Sequence, residues 1–335
     1  MLRWPVLAAV TLGIALNPAE GKAQEIEAVF AIPAQTLTFS AHFVAHDMGF
    51  FQKEGLKVTD RYLVGVNSPN AVLQGGADFT VGTGPVFLRA AAQGQKFLAI
   101  ANLVDKPLVE LVLRKDVADA AGISDKTPVA ERAKALKGKT IAIQGVGSIV
   151  HAWQRYVTMT IGGLDVEKDV RIAPMDPPAM FPALENKAVD GFTTSMPFTT
   201  QAILKGSAVM VASSTFDAPD LQPFGYALVY TRPDFCKEKR DLCQRVVRAY
   251  QGAAKAIQEK PDEVFEKVLT KRLAKTPPDL LAAAWKVAQT AHAKDIKVTV
   301  AQLENSQKIN LGTKLIEPKD VVTNYQELFT DEFVK

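Results

Sequence analysis

The feature that most constrains this chain is a long internal repeat. Thr36 and Ser148 stand 112 residues apart, each between a short β-type run and a helical stretch. Ile26 to Ile32 (IEAVFAI) leads through Pro33-Ala34-Gln35-Thr36, and Lys139 to Ile143 (KTIAI) leads through Gln144-Gly145-Val146-Gly147-Ser148. Val58-Thr59 and Val170-Arg171, Asp78 and Asp190, and Pro85 and Pro197 keep the same offset of 112, with a one-residue slip at Leu73 and Leu184. A unit this long is no solenoid repeat. Strand and helix signals alternate within it, so the pattern predicts two similar α/β lobes, each built on a mainly parallel sheet flanked by helices. The 335 residues are enough for two cores.

In such sheets ligands bind beyond the carboxyl ends of the strands, where a helix N-terminus offers unpaired amides and a partial positive charge. The candidate ligand contacts therefore sit at strand-to-helix turns. In the first lobe they are Thr36, Thr38, Phe39, Ser40 and His42 at one turn and Thr83 and Gly84 at another. In the second lobe they are Gly147, Ser148 and His151, then Thr194, Ser195 and Met196. Phe224 and Tyr226 join them from a stretch bordering the cleft. Together they describe a jaw for a small polar or anionic molecule. No arginine stands in these turns, though Arg89 and Arg155 lie one or two turns into their helices, so anion capture rests on helix termini and hydroxyls. Apolar side chains beside those hydroxyls favour an organic anion over bare nitrate.

Other chemistries are excluded or left structural. With 39 basic and 36 acidic residues, the chain is no polycation built for nucleic acid. His42 and His46 have a zinc-compatible spacing, but no third ligand or metal motif accompanies them; no metal or cofactor is expected. Gly145-Val146-Gly147-Ser148 starts like a dinucleotide fingerprint, but Val150 stands where the last glycine belongs. No Walker loop or GxSxG occurs. Asp78 and Asp190 precede their strands and are expected to cap the turns there, far from the cleft. Phe181, Phe198 and Trp153 are expected to be mostly core, and His292 has no context.

The first 23 residues differ in kind. Arg3 precedes an eleven-residue apolar run from Val6 to Leu16, shorter than the roughly 20 residues of a membrane span. Asn17 and Pro18 break the run, and Gly21-Lys22-Ala23 supplies a small-residue cleavage site, the pattern of a secretory signal peptide. Cys236 and Cys243 are the two cysteines. On one continuous helix their Cα atoms would lie about 10 Å apart, too far for a bridge. A disulfide therefore requires a bend, which residues 237–241 can supply.

The succession Ala45-His-Asp-Met-Gly49-Phe50-Phe51-Gln-Lys-Glu-Gly55-Leu56-Lys-Val58, then Gly76-Ala-Asp78, then Lys137-Gly138-Lys139-Thr140-Ile141-Ala-Ile143, resembles the solute-binding proteins of ABC importers. The resemblance is to the NMT1/THI5-like branch with nitrate-, sulfonate-, taurine- and thiamine-precursor-binding members. Gly163-Leu164, Ala188-Val189-Asp190 and Met196-Pro197 continue it. The resemblance implies a two-lobed periplasmic-binding-protein fold (type II) with a two-segment hinge, with crossings near residues 104–114 and 215–230. Lobe one would be 24–108 and 225–335, lobe two 109–224. Residues 246–257 and 318–329 would be amphipathic segments packed on lobe one, and 115–136 a surface turn and helix. The implied function is capture of a small organic anion, of sulfonate or carboxylate type, by a monomer in the periplasm. Delivery to the transmembrane subunits of a permease would follow. The alternatives are a sensor-coupled binding protein, a thiamine-pyrimidine-related protein, and an exported lyase or dehydratase with His42 or His151 as base.

Overall fold

The computed structural model describes residues 25–334; the signal-peptide reading of residues 1–23 lies outside them. The strands are β1 (Ile26–Ile32), β2 (Leu56–Tyr62), β3 (Phe79–Gly82), β4 (Leu98–Asn102), β5 (Val109–Arg114), β6 (Lys139–Ile143), β7 (Val170–Pro174), β8 (Gly191–Ser195), β9 (Ala208–Ser213) and β10 (Leu228–Thr231). They form two five-stranded sheets, ordered β2-β1-β3-β10-β4 and β7-β6-β8-β5-β9. The second sheet repeats the first strand for strand, with β6 for β1 and β5 for β10. Helices cover both faces, so central strands such as β3 and β5 are buried along nearly their whole length.

Four strands of each sheet run the same way, as the mainly parallel expectation has it, and one runs against them. β1 pairs parallel with β2 and β3, but β10 runs antiparallel between β3 and β4, and β5 runs antiparallel between β8 and β9. These two strands follow the two crossings between sheets, so each enters its sheet from the partner's side and runs against the others. The repeat also carries a local slip. Asp78 Oδ2 accepts from Val29 N at 2.8 Å, and Asp190 Oδ2 accepts from Thr140 N at 2.9 Å. The aspartates are 112 apart and their partners 111, so β6 is shifted by one residue against β1. Each aspartate amide donates back to the same partner's carbonyl. Both carboxylates thus tie the start of one strand to its neighbour.

Helix Arg240–Glu259 packs on helix Ser40–Asp47, burying Val246, Val247, Tyr250, Ala253 and Ile257. It is separated from helix Pro233–Glu238 by Lys239, whose non-helical backbone supplies a bend. The Cα atoms of Cys236 and Cys243 are thereby 5.7 Å apart, and the two are joined by a disulfide. Residues 115–136 contain two short helices, Lys115–Ala120 and Val129–Lys134. Residues 318–329 form the 3-10 turns Pro318–Asp320 and Tyr325–Leu328 and pack Val322, Tyr325, Leu328 and Phe329 on lobe one. Val321-Val322-Thr323-Asn324 between them combines β-branching with a side chain that competes for backbone bonds. Helix Val300–Gly312 opens with a Thr299/Gln302 capping box and lies behind the second crossing, where Asn305 Nδ2 donates to Pro223 O at 2.8 Å.

Candidate functional site

The carboxyl ends of β1, β3, β6 and β8 meet around a small cavity of about 40 Å³. A water needs roughly 10–15 Å³ on this measure, so the space suits a compact polar group. From the first sheet come Thr36, Thr38, Phe39, Val64, Gly82 and Thr83; from the second come Gln144, Ser148 and Ser195; Tyr226 and Tyr230 come from the second crossing and β10. None of the described residues lining it is charged.

Three hydroxyls are decisive. Thr36 Oγ1, Thr83 Oγ1 and Tyr230 Oη are buried with no hydrogen-bond partner, and Thr38 Oγ1, buried on the same wall, has none but the Tyr226 phenol. Leaving a buried hydroxyl unpaired costs about 1–3 kcal/mol, and three facing one cavity mark it as a place where an acceptor belongs. Thr83 is also the N-cap of helix Gly84–Ala92, yet its side chain makes no capping bond. Ser148, N-cap of helix Ile149–Tyr156, behaves differently: its Oγ donates to Gly145 O at 2.6 Å and accepts from His151 N at 3.4 Å. Both helix N-termini approach the cavity with their positive dipole ends. Gly82 leaves room for the tyrosine, since a Cβ there would sit 2.6 Å from Tyr230 Oη.

Across the cleft, Tyr226 Oη lies 3.2 Å from Ser195 Oγ, Gln144 Nε2 donates to Pro33 O at 3.2 Å, and Leu37 N donates to Met196 O at 3.2 Å. Burial pushes the Tyr226 phenol up to about 12, so it stays a neutral donor. Arg89 reaches over from lobe one, donating to Asn310 Oδ1 at 2.7 Å and to Gly147 O at 2.5 Å. Its guanidinium is thus occupied and does not line the cavity. Above, Val64-Gly65-Val66 interlocks with Gly145-Val146-Gly147. A Cβ on Gly145 would meet Val64 Cγ1 at 3.2 Å, one on Gly147 would meet Val66 Cγ1 at 3.7 Å, and one on Gly65 would meet Val146 O at 3.7 Å. Valine of one lip rests on glycine of the other.

Of the residues expected from sequence, Thr36, Thr38, Phe39, Thr83, Ser148, Ser195 and Tyr226 line the cavity. Others do not. His42 is fully buried in lobe one, with Nδ1 2.7 Å from Tyr250 Oη and Nε2 2.8 Å from Asp60 Oδ1. The 3-10 turn Leu37–Phe39 delays the helix start, rotating His42 into the core beside Phe30 and Phe51. Ser40 donates to Leu37 O. Gly84 is packed against Gly225 O and Ser306. Gly147 and His151 form the turn behind the wall, where Gly147 N donates to His151 Nδ1 at 3.2 Å. Burial lowers the His151 imidazole to about 4, with Arg155 and Arg89 adding to the effect. Thr194 faces Glu110 across the sheet, and Met196 and Phe224 are core, Phe224 6.2 Å from the Tyr226 ring. His46 bonds Asp47 and Arg272 instead of a metal, and no metal-holding cluster occurs among the described residues. The sequence reading missed Val64 and Tyr230. The loop after β2 is a third strand-to-helix turn, and Tyr230 lies four residues beyond Tyr226, at strand spacing for one face.

Two α/β sheets, each flanked by helices, around a buried polar cavity make the two-lobed fold of the periplasmic binding proteins. Residues 37–264 match the NMT1/THI5-like family model, and the chain belongs to that family. Among curated proteins, none matches the chain in sequence. Solved structures share the fold. The alkanesulfonate-binding protein SsuA from Xanthomonas axonopodis pv. citri, bound to MOPS, is 18% identical with a TM-score of 0.70, covering 92% of this chain and 99% of its own. The periplasmic nitrate-binding protein NrtA from Synechocystis PCC 6803 is 17% identical with a TM-score of 0.60, covering 77% of this chain and 69% of its own. A DSZB mutant in complex with biphenyl-2-sulfinic acid is 14% identical with a TM-score of 0.62, covering 92% of this chain and 97% of its own.

Proposed function

We propose that the protein is the periplasmic substrate-binding component of an ABC importer for a small organic anion of sulfonate or carboxylate type. The lobes are 24–108 with 225–335, and 109–224, a division supported by the strands each sheet contains. The observation that carries the reading is the set of unpartnered hydroxyls, Thr36, Thr83 and Tyr230, at a cavity walled by both lobes. An oxyanion head accepts from such donors without a cationic side chain, helped by the two helix N-termini. Because the walls come from both lobes, the anion contacts more protein when the cleft is shut, the differential affinity that closure requires. The neighbours' printed ligands, MOPS on the sulfonate binder and nitrate for the other, are oxyanions of this kind. No described helix is long and apolar enough to cross a membrane, as a component carried between membranes requires. The protein then works as a monomer that hands its anion to a permease.

Calorimetric titration with sulfonates, carboxylates, nitrate and pyrimidines tests the reading. Stoichiometric binding of an oxyanion without turnover supports it; conversion of the bound compound overturns it. The likeness to DSZB with a bound sulfinate favours the enzyme alternative. Against it, His42 and His151 both stand outside the cavity wall.

A further inference from the structure

The 40 Å³ cavity adjoins a larger chamber of about 580 Å³, and the two share Pro33, Ala34, Val64 and Gln144 as common wall, where Gln144 Nε2 donates to Pro33 O. The inner space has room for a head group only, and the outer chamber beyond the Gln144–Pro33 contact is the adjoining space large enough for the rest of an organic anion. There the apolar walls are Tyr62 and Leu273 of lobe one and Pro177, Pro178 and Phe198 of lobe two. The rim differs from the inner cavity in charge. Lys271 and Lys275 line it and form no ion pair among the described residues. Arg272 between them is already bound to Asp47, at 2.6 Å from Nε and 2.5 Å from Nη2, and its guanidinium lies over the Phe43 ring. That clamp fixes the segment carrying both lysines against helix Ser40–Asp47. Asp176 is the one acidic residue of the chamber wall and is exposed. With Arg272 neutralised by Asp47, two free ammonium groups face one carboxylate.

We propose that the outer chamber is a second anion subsite and that the ligand is two-ended: one acid group in the neutral inner cavity, an apolar spacer between the lobes, and a second acid group at Lys271 and Lys275. This rests on the anion-binding reading of the inner cavity and adds to it the substrate class, an organic diacid. A single-ended sulfonate fills the inner cavity and leaves both lysines in water. A diacid gains two charge-assisted contacts where closure has removed part of the solvent. The long lysine stems let the subsite accept spacers of more than one length.

Calorimetric titration of the mature protein with benzenesulfonate, 3-sulfobenzoate and 4-sulfobenzoate, against wild type and the Lys271→Gln/Lys275→Gln double variant, tests this. In wild type one of the two diacids binds about tenfold tighter than benzenesulfonate, and the advantage shrinks as salt rises. In the double variant the advantage disappears while benzenesulfonate binds as before. Equal affinity for mono- and diacids in wild type, or an advantage that survives the double variant, overturns the second subsite alone. Absence of binding by all three probes, together with methanesulfonate and acetate, overturns the anion-binding reading and the diacid with it.

Discussion

At equivalent places in the two sheets stand Leu228 and Glu110. Leu228 on β10 faces Gly82 and Asn102; Glu110 on β5 faces Thr194 and Ser213, residues displaced from those by 112 and 111. One lobe fills the position with an apolar side chain, the other with a buried carboxyl that takes hydrogen bonds from Thr199 Oγ1 and Ser213 Oγ. The same inequality recurs at the cavity. Thr36 leaves its hydroxyl unpaired, whereas Ser148 spends its own on Gly145 O and His151 N. At this pair of turns lobe two's serine holds its own helix start, while lobe one's threonine has no partner of its own. On the proposed reading the twin turns divide the work, Thr36 supplying a free donor and Ser148 a braced wall.

The largest test concerns Glu110. Burial raises its carboxyl to about 7 from an ordinary 4.5, so the folded state holds a proton the unfolded chain has released. Stability from this group falls as pH rises from about 4.5 to about 7, by on the order of 3 kcal/mol. His151 and His292, both lowered to about 4 by burial, act oppositely: their contribution is lost as pH falls below about 6.5. Urea unfolding across pH 5 to 8 is expected to show Glu110→Gln gaining on wild type as pH rises. Parallel curves would remove the contrast with Leu228. Next in size is Thr36→Val, expected to weaken anion binding roughly tenfold or more with little change in melting temperature. Ser148→Ala should do the reverse, costing about 1 kcal/mol of stability through the lost cap and less in affinity. If calorimetry and thermal melts show equal affinity losses for both, the division of work fails. The smallest effect belongs to the lips: Gly145→Ala places a methyl 3.2 Å from Val64 Cγ1 and should weaken binding about threefold by disfavouring closure. Small-angle scattering with ligand present would show a larger fraction of open molecules.

The two-lobed plan was legible because strand-turn-helix signals recur at a fixed interval, and Thr36, Thr83, Ser148 and Ser195 were legible because turns at strand ends face the cleft. His42 was not. A 3-10 turn of three residues before the helix decides which face His42 takes, and nothing in Leu37-Thr38-Phe39 announces that turn. The one reversed strand of each sheet was hidden for another reason: β5 and β10 look like any buried strand, and only the crossing reverses their direction. Glu110 reads as an ordinary strand acid until its neighbours Thr199 and Ser213, 89 and 103 residues away, are in place. Val64 was overlooked although its turn follows the same rule as the others.

The interleaving of β10 has a consequence for how the molecule is made. The strands of the second sheet are contiguous in the chain, from Val109 to Ser213, so that sheet has all its partners as soon as those residues emerge. The first sheet, begun earlier, has a gap between β3 and β4 until Thr231 has been synthesised. The half that starts first is completed last, and a chain truncated before residue 228 should assemble its middle while leaving its beginning unfinished.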